Sequence, residues 1–180
     1  SLESFAAEMV KLQQNMEMLN RLLGYIQMEI LTKSSKETKK IAELLSKELL
    51  LTAREYACIL ALQGNLGAGK TTFTQGFARA LGVNENVLSP TFVLMKTYEI
   101  PKGIRLANGK KYFAHIDCYR LNDPEDLLDL GFGGLIRDKN AIILIEWADR
   151  IKKILPKHTL WIKFDHGKKI NERVITIHFE

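Results

Sequence analysis

Proline and cysteine are both scarce, four of one and two of the other among 180 residues. Cys58 and Cys118 stand far apart, in or beside apolar runs, which excludes a secreted disulfide framework and a zinc-ligand spacing and leaves two buried thiols. Long apolar runs are missing as well: a stretch such as Ala141 to Ile145 falls far short of the roughly 20 residues that cross a bilayer. No charged-then-apolar signal segment opens the sequence, so the expected location is cytoplasmic and no membrane partner is expected. Nor is charge strongly one-sided. The 26 Lys and Arg against 21 Asp and Glu give a net charge of +5 and a pI near 9.1, which permits an acidic partner such as RNA without requiring one. With 46% apolar residues and neither internal repeats nor low-complexity tracts, the composition is that of one ordinary globular domain.

Leu2, Phe5, Met9, Leu12, Met16, Leu19, Leu23 and Ile26 recur at alternating spacings of three and four, which predicts an amphipathic helix about 37 Å long with a narrow seam. Such a seam suits one facing helix better than a sheet, so this extension, residues 1–27, is expected to self-associate or dock on a partner helix, with packing inside the molecule or an origin outside the native sequence as the alternatives. It is set apart from a domain spanning 28–180. There, Met28 to Thr32 reads as a short strand, and Ser34 with Glu37 as the start of a helix running to about Leu50, its Ile41, Leu44, Leu45 and Leu49 facing a sheet. Ala57 to Leu62 is apolar on both faces and stops at Gln63-Gly64, as a doubly buried strand would. Lys70 to Leu81 predicts a helix closed by Gly82. Phe92 to Ile100 and Lys111 to Asp117 read as strands around a turn containing Asn108-Gly109, and Pro124 opens a short helix. Ala141 to Ile145 is a second fully apolar strand, and Thr159 to Asp165 against Arg173 to Phe179 forms a closing hairpin.

The chemistry lies between the first buried strand and the helix after it. Gly64-Asn65-Leu66-Gly67-Ala68-Gly69-Lys70-Thr71 matches G-x-x-x-x-G-K-[ST], the P-loop pattern, in the strand-to-helix context that pattern needs. Glycines let the backbone turn its N–H groups onto phosphate oxygens, and the helix presents its positive end to the same anion. Lys70 would reach the β- and γ-phosphates and the Thr71 hydroxyl would hold Mg²⁺. Such a site needs carboxylates too, because Mg²⁺ prefers oxygen ligands and the attacking water must be oriented. Glu146 and Asp117 each end a predicted buried strand. His115 reads as a satisfied strand residue, and Trp147 as either a nucleotide contact or a cap on the core.

Four ordered blocks then carry a family resemblance: Gly64 to Thr72, Ser89-Pro90-Thr91-Phe92, His115-Ile116-Asp117-Cys118-Tyr119-Arg120-Leu121 and Ile145-Glu146-Trp147. From about Met28 to Glu180 the chain resembles the bacterial TsaE (YjeE) ATPases of tRNA threonylcarbamoyladenosine formation. The resemblance implies nucleotide contacts from Gly64, Asn65, Leu66, Gly67, Ala68, Gly69, Lys70, Thr71 and Thr72, and a switch loop in which Thr91 and Ser89 face the γ-phosphate. It further implies Asp117 as the catalytic carboxylate and Glu146 as a Mg²⁺ ligand, with Ser35 and Thr38 near the adenine. The implied partners are proteins of the TsaD and TsaB type, with tRNA touched at most indirectly.

The expected architecture is therefore an α/β P-loop NTPase: a mainly parallel sheet with helices on both faces, hairpins extending one side, a C-terminal β-hairpin and an extra N-terminal helix. The expected activity is ATP hydrolysis by in-line attack of water. A small GTPase-like switch is the first alternative, though the Asn-Lys-x-Asp guanine reader is missing from the sequence. A small-molecule kinase is the second, though Arg120, Arg137 and Arg150 are too scattered for an arginine-rich lid. A module that uses nucleotide only to hold its shape is the third. Lys152, Lys153, Lys157, Lys163, Lys168, Lys169 and Arg173 give the last thirty residues a basic bias, readable as a face for tRNA or an acidic partner, or as plain solvated surface.

Overall fold

A computed structural model describes residues 27–51, 55–85, 87–90, 94–104 and 111–179. Within them the strands are β1 (Met28–Thr32), β2 (Cys58–Gly64), β3 (Met95–Glu99), β4 (Tyr112–Asp117), β5 (Ala141–Glu146), β6 (Leu160–His166) and β7 (Arg173–Phe179). The helices are α1 (Ser35–Leu51), α2 (Lys70–Ala80), α3 (Pro124–Asp129) and α4 (Phe132–Leu135), with a 3-10 segment at Ala148–Ile154. All seven strands join one sheet in the order β1-β7-β6-β2-β5-β4-β3. The central neighbours β6, β2, β5 and β4 are parallel, whereas β1–β7, β7–β6 and β3–β4 are antiparallel. Strands β1, β2, β4, β5 and β6 therefore share one direction. Antiparallel strands flank the parallel centre at both edges, which corrects the expectation of hairpins on one side only.

Burial explains the centre. Every residue of β5 and the first five of β2 are buried, because alternate side chains enter two separate cores. Cys58, Leu60, Leu62, Ile142 and Leu144 pack with α1 and α2; Ile59, Ala61, Ile143 and Ile145 pack with α3, α4 and the 3-10 segment. Both faces of the parallel centre are thus covered by helices.

Local signals fix most element ends. The Ser34 hydroxyl accepts the Glu37 N–H at 3.2 Å, and the Glu37 carboxylate accepts the Lys33 N–H at 2.8 Å, anchoring the start of α1. Its buried stripe is Ile41, Ala42, Leu45 and Leu49, not the predicted set containing Leu44. The reason is the neighbour: α1 lies chiefly against α2, where a Cβ on Gly76 would fall 2.5 Å from the Lys39 carbonyl oxygen. Helix α2 ends at Ala80 beside Gly82 at φ 75°, and Asp123 caps α3 by accepting the Glu125 N–H at 3.0 Å. Strand β3 begins at Met95, directly after Leu94 with its left-handed φ of 61°; Phe92 and Val93 of the predicted strand lie outside the described residues. In the closing hairpin Leu160, Ile162 and Phe164 stand opposite Phe179, Ile177 and Ile175, the pairing that the alternation calls for.

Helix α4 and the 3-10 segment had no sequence prediction. Both thiols are buried, and no helix among the described residues is long and apolar enough to cross a membrane. The predicted helix over 2–26, Thr91 and the Asn108-Gly109 turn lie outside the described residues.

Candidate functional site

Strand β2 runs out at Gly64, where φ is 142° and a Cβ would sit 2.3 Å from the Phe164 carbonyl oxygen of β6. Only glycine fits there. The chain then turns through Gly67 (φ 73°) and Gly69 (φ 105°), with the Ala68 N–H on the Asn65 carbonyl at 3.2 Å. The bond from the Phe73 N–H to the Gly69 carbonyl, 2.9 Å, opens the helical ladder. The amides of Lys70, Thr71 and Thr72 precede it, so the positive end of α2 faces the loop. From the opposite side Arg173, at the start of β7, donates to the Gly67 carbonyl at 3.1 Å and to the Ile170 carbonyl at 2.8 Å. This tether pins the outer part of the loop.

Lys70 is buried at the base of the loop. Its ammonium donates to the Gly64 carbonyl at 2.6 Å and the Asn65 carbonyl at 2.9 Å, and lies 3.8 Å from the centre of the Trp147 ring. Burial pushes its pKa below the ordinary 10.5; the carboxylates of Glu146, Asp117 and Asp149 partly oppose that shift.

The two acids arrive from neighbouring parallel strands in register, Asp117 of β4 beside Glu146 of β5, and Glu146 is in turn opposite Leu62 of β2. This puts both at the carboxyl ends of the strands, level with the loop. Asp117 accepts the Tyr119 N–H at 2.8 Å on one oxygen and the Ser89 hydroxyl on the other. Glu146 accepts the Thr71 hydroxyl at 2.8 Å on Oε2, and the Thr74 hydroxyl at 3.2 Å on Oε1, where His115 Nε2 also lies 3.0 Å away. Both carboxylates are almost completely buried.

These groups surround one cavity of about 370 Å³ lined by Leu66, Gly67, Gly69, Lys70, Thr71, Thr72, Ser89, Asp117, Glu146 and Trp147, joined by Tyr119. A larger hollow of about 1120 Å³ lies along β3 and β4 around Tyr98, Ile100 and Tyr112, but its lining brings no paired acids together. The smaller cavity carries the chemistry. Of the other predicted residues, Gly64 and Asn65 serve it through their carbonyls, and Ala68 is buried beneath it. Thr38 is buried with its methyl close to Gly69, and its hydroxyl pairs with that of Thr32 at 2.9 Å. Ser35 is exposed in the first turn of α1 and does not line the cavity. Trp147 packs partly on the core and also lines the cavity.

His115 departs from its sequence reading. It is not merely a satisfied strand residue, since Nε2 meets Glu146 while the buried Nδ1 finds no partner among the described residues. The sequence reading misses Thr74 and presents Arg173 only as part of the basic tail, not as a contact of the loop. Thr74 lies four positions after Lys70, on the same helix face, a spacing that was available as a signal; Arg173 is more than a hundred residues from Gly67, and nothing local points to it. The basic tail is partly spent on local contacts: Lys163 pairs with Asp165 at 2.8 Å, Lys152 lies over Trp161, and Arg173 serves the loop.

A glycine-rich loop between a central parallel strand and a helix, with paired acids ending β5 beside that strand and β4 beyond it, defines a P-loop fold. A family model described as Threonylcarbamoyl adenosine biosynthesis protein TsaE matches residues 32–175, and the chain belongs to that family. It is 40% identical over 131 residues to the tRNA threonylcarbamoyladenosine biosynthesis protein TsaE of Haemophilus influenzae, covering 71% of this chain and 73% of that one. Against the Bacillus subtilis protein of the same description it is 37% identical, with 81% of each chain covered. The crystal structure of Bacillus subtilis YdiB superposes with a TM-score of 0.65 at 32% identity, covering 86% of both chains. The family's role is in tRNA threonylcarbamoyladenosine biosynthesis.

Proposed function

We propose that this chain binds and hydrolyses ATP with Mg²⁺, and that the cycle supports threonylcarbamoyl transfer to tRNA by a complex of TsaB- and TsaD-type proteins. The observation that carries the reading is the convergence of Lys70, Thr71, Asp117 and Glu146 on one cavity at the mouth of the glycine loop. The donor set fits the metal: a hydroxyl and a carboxylate oxygen already 2.8 Å apart are the hard oxygen ligands that Mg²⁺ takes. Bound Mg²⁺ supplies charge neutralisation on the phosphate oxygens.

The protein's own groups do the rest. The Lys70, Thr71 and Thr72 amides and the α2 dipole hold the phosphates, and the Lys70 ammonium exchanges carbonyl partners for phosphate oxygens. Asp117 is held by Tyr119 and Ser89, so its orientation is fixed before substrate arrives, as a group that orients a water must be. Charge developing on the γ-phosphate is met by Lys70 and the loop amides, preorganised donors of the kind worth about 10²–10³ in rate each. Thr91, which the family resemblance assigns to the switch, would add a hydroxyl to this set. The last step is transmission: the segment carrying Ser89 and Thr91 responds to the γ-phosphate, and the partner complex reads that response.

The test is reconstitution. Multiple-turnover modification of tRNA by the TsaB and TsaD proteins should require this chain and ATP, and should fail with Lys70→Ala. Undiminished modification with a folded Lys70→Ala chain would contradict the proposal.

A further inference from the structure

The two oxygens of Glu146 are not equivalent. Oε2 faces Thr71 on the cavity wall; Oε1 points back into the protein, toward Thr74 Oγ1 at 3.2 Å and His115 Nε2 at 3.0 Å. Thr74 and His115 are both fully buried, and neither lines the cavity. They reach the carboxylate from different elements, Thr74 from the second turn of α2 and His115 from the middle of β4, whose neighbour in register is Leu144 of β5. The Lys70 carbonyl lies 3.0 Å from the same hydroxyl, whose single proton is shared between the two acceptors, so Thr74 is tied both to Glu146 and to the helix that carries the loop. An ionised carboxylate only accepts, so Nε2 bears the hydrogen in its contact. Since Nδ1 has no partner among the described residues, Glu146 is the polar group that orients this ring.

We propose that His115 and Thr74 are positioning residues that hold Oε1 of Glu146 away from the metal, leave Oε2 alone to ligate, and thereby favour Mg²⁺ over Ca²⁺. The inference rests on the reading of Thr71 and Glu146 as the pair that holds the metal. Mg²⁺ demands near-octahedral geometry and takes one oxygen of a carboxylate, whereas the larger Ca²⁺ accepts more ligands and often both oxygens. For Glu146 to ligate through both oxygens, its contacts with His115 and Thr74 at Oε1 must break, and both donors are fully buried. That penalty falls on Ca²⁺ and spares Mg²⁺. A purely structural role, in which the two donors only satisfy a buried carboxylate, penalises both cations alike.

The experiment titrates Mg²⁺ and Ca²⁺ separately into the full chain with a non-hydrolysable ATP analogue, reading analogue affinity by calorimetry. Thr74→Val and His115→Phe remove one donor each at nearly constant shape, and His115→Gln restores an N–H donor at the position of Nε2. Affinity in EDTA and the melting temperature serve as controls for the fold. The proposal predicts that Thr74→Val and His115→Phe lower the ratio of Mg²⁺- to Ca²⁺-supported affinity by about tenfold, the scale at which groups behind a ligand act, and that His115→Gln stays within about twofold of wild type. If His115→Phe does not fold, Thr74→Val decides alone. An unchanged ratio, or equal weakening with both cations, overturns the positioning role and leaves the metal site standing. Wild-type affinity indifferent to either cation overturns the metal site, and this inference with it.

Discussion

Burial of the Lys70 ammonium removes hydration that the Gly64 and Asn65 carbonyls and the Trp147 ring replace only in part, and its pKa falls below 10.5 as a result. The unfolded chain then keeps its proton to higher pH than the folded one. Between the lowered folded value and 10.5 the unfolded state binds more protons, so stability rises with pH across that window, and the cost is fully present below it. Lys70→Met carries no proton there. The melting temperature of wild type relative to Lys70→Met, without nucleotide, should therefore climb as pH rises toward 10.5; a flat difference would show that burial is not the cause. Cys118, one residue beyond Asp117, behaves oppositely. Burial first, and the neighbouring Asp117 charge second, push its thiol up to about 12 against the pull of Arg150. Iodoacetamide at about pH 8.5 should leave Cys118 unlabelled in the folded protein and label it after unfolding, because only the thiolate reacts. Stoichiometric labelling of the native thiol contradicts that environment.

Helices α1 and α2 meet at Gly76, where the sign of a substitution is decided by distance. Alanine is a better helix former than glycine by about 1 kcal/mol, yet its Cβ would lie 2.5 Å from the Lys39 carbonyl oxygen and 2.7 Å from its Cα. Backbone cannot rotate away as a side chain does, so the clash wins. Gly76→Ala should lower stability by about 1–3 kcal/mol in denaturant unfolding, and an equal or higher midpoint would mean that the two helices can separate at no cost. At this scale the sequence was legible wherever one residue type controls an end: Ser34 and Glu37 at α1, Gly82 after α2, Asp123 and Pro124 at α3. It was illegible where tertiary contact overrides the pattern. The stripe on α1 includes Ala42 in place of Leu44 because its neighbour is a helix as well as a sheet, and the left-handed Leu94 just before β3 left no mark in the alternation. Helix α4 and the 3-10 segment are too short for any periodicity to register.

Across the molecule, the site exists because the sheet order puts β5 between β2 and β4, so the loop after β2 and the acids ending β4 and β5 come to one edge. The loop, Asp117 and Glu146 could be read locally, as a spacing motif and as acids after apolar runs. Their mutual arrangement could not, since strand order is fixed by burial against helices on both faces rather than by any single segment. The same limit hid the contacts of Glu146 with Thr74 and His115, and of Arg173 with Gly67, which join residues distant in the chain. The central claim is that this assembly hydrolyses ATP with Asp117 orienting the water and Lys70, Thr71 and Glu146 holding the substrate. Single-turnover phosphate release at saturating Mg-ATP, for wild type and Asp117→Asn with affinity measured in parallel, tests it most directly. The account predicts release by wild type, a fall of at least about 100-fold in the variant, and nucleotide affinity within a few fold of wild type. Equal release rates for the two chains, or no release by wild type alone or with its partner proteins, would contradict it.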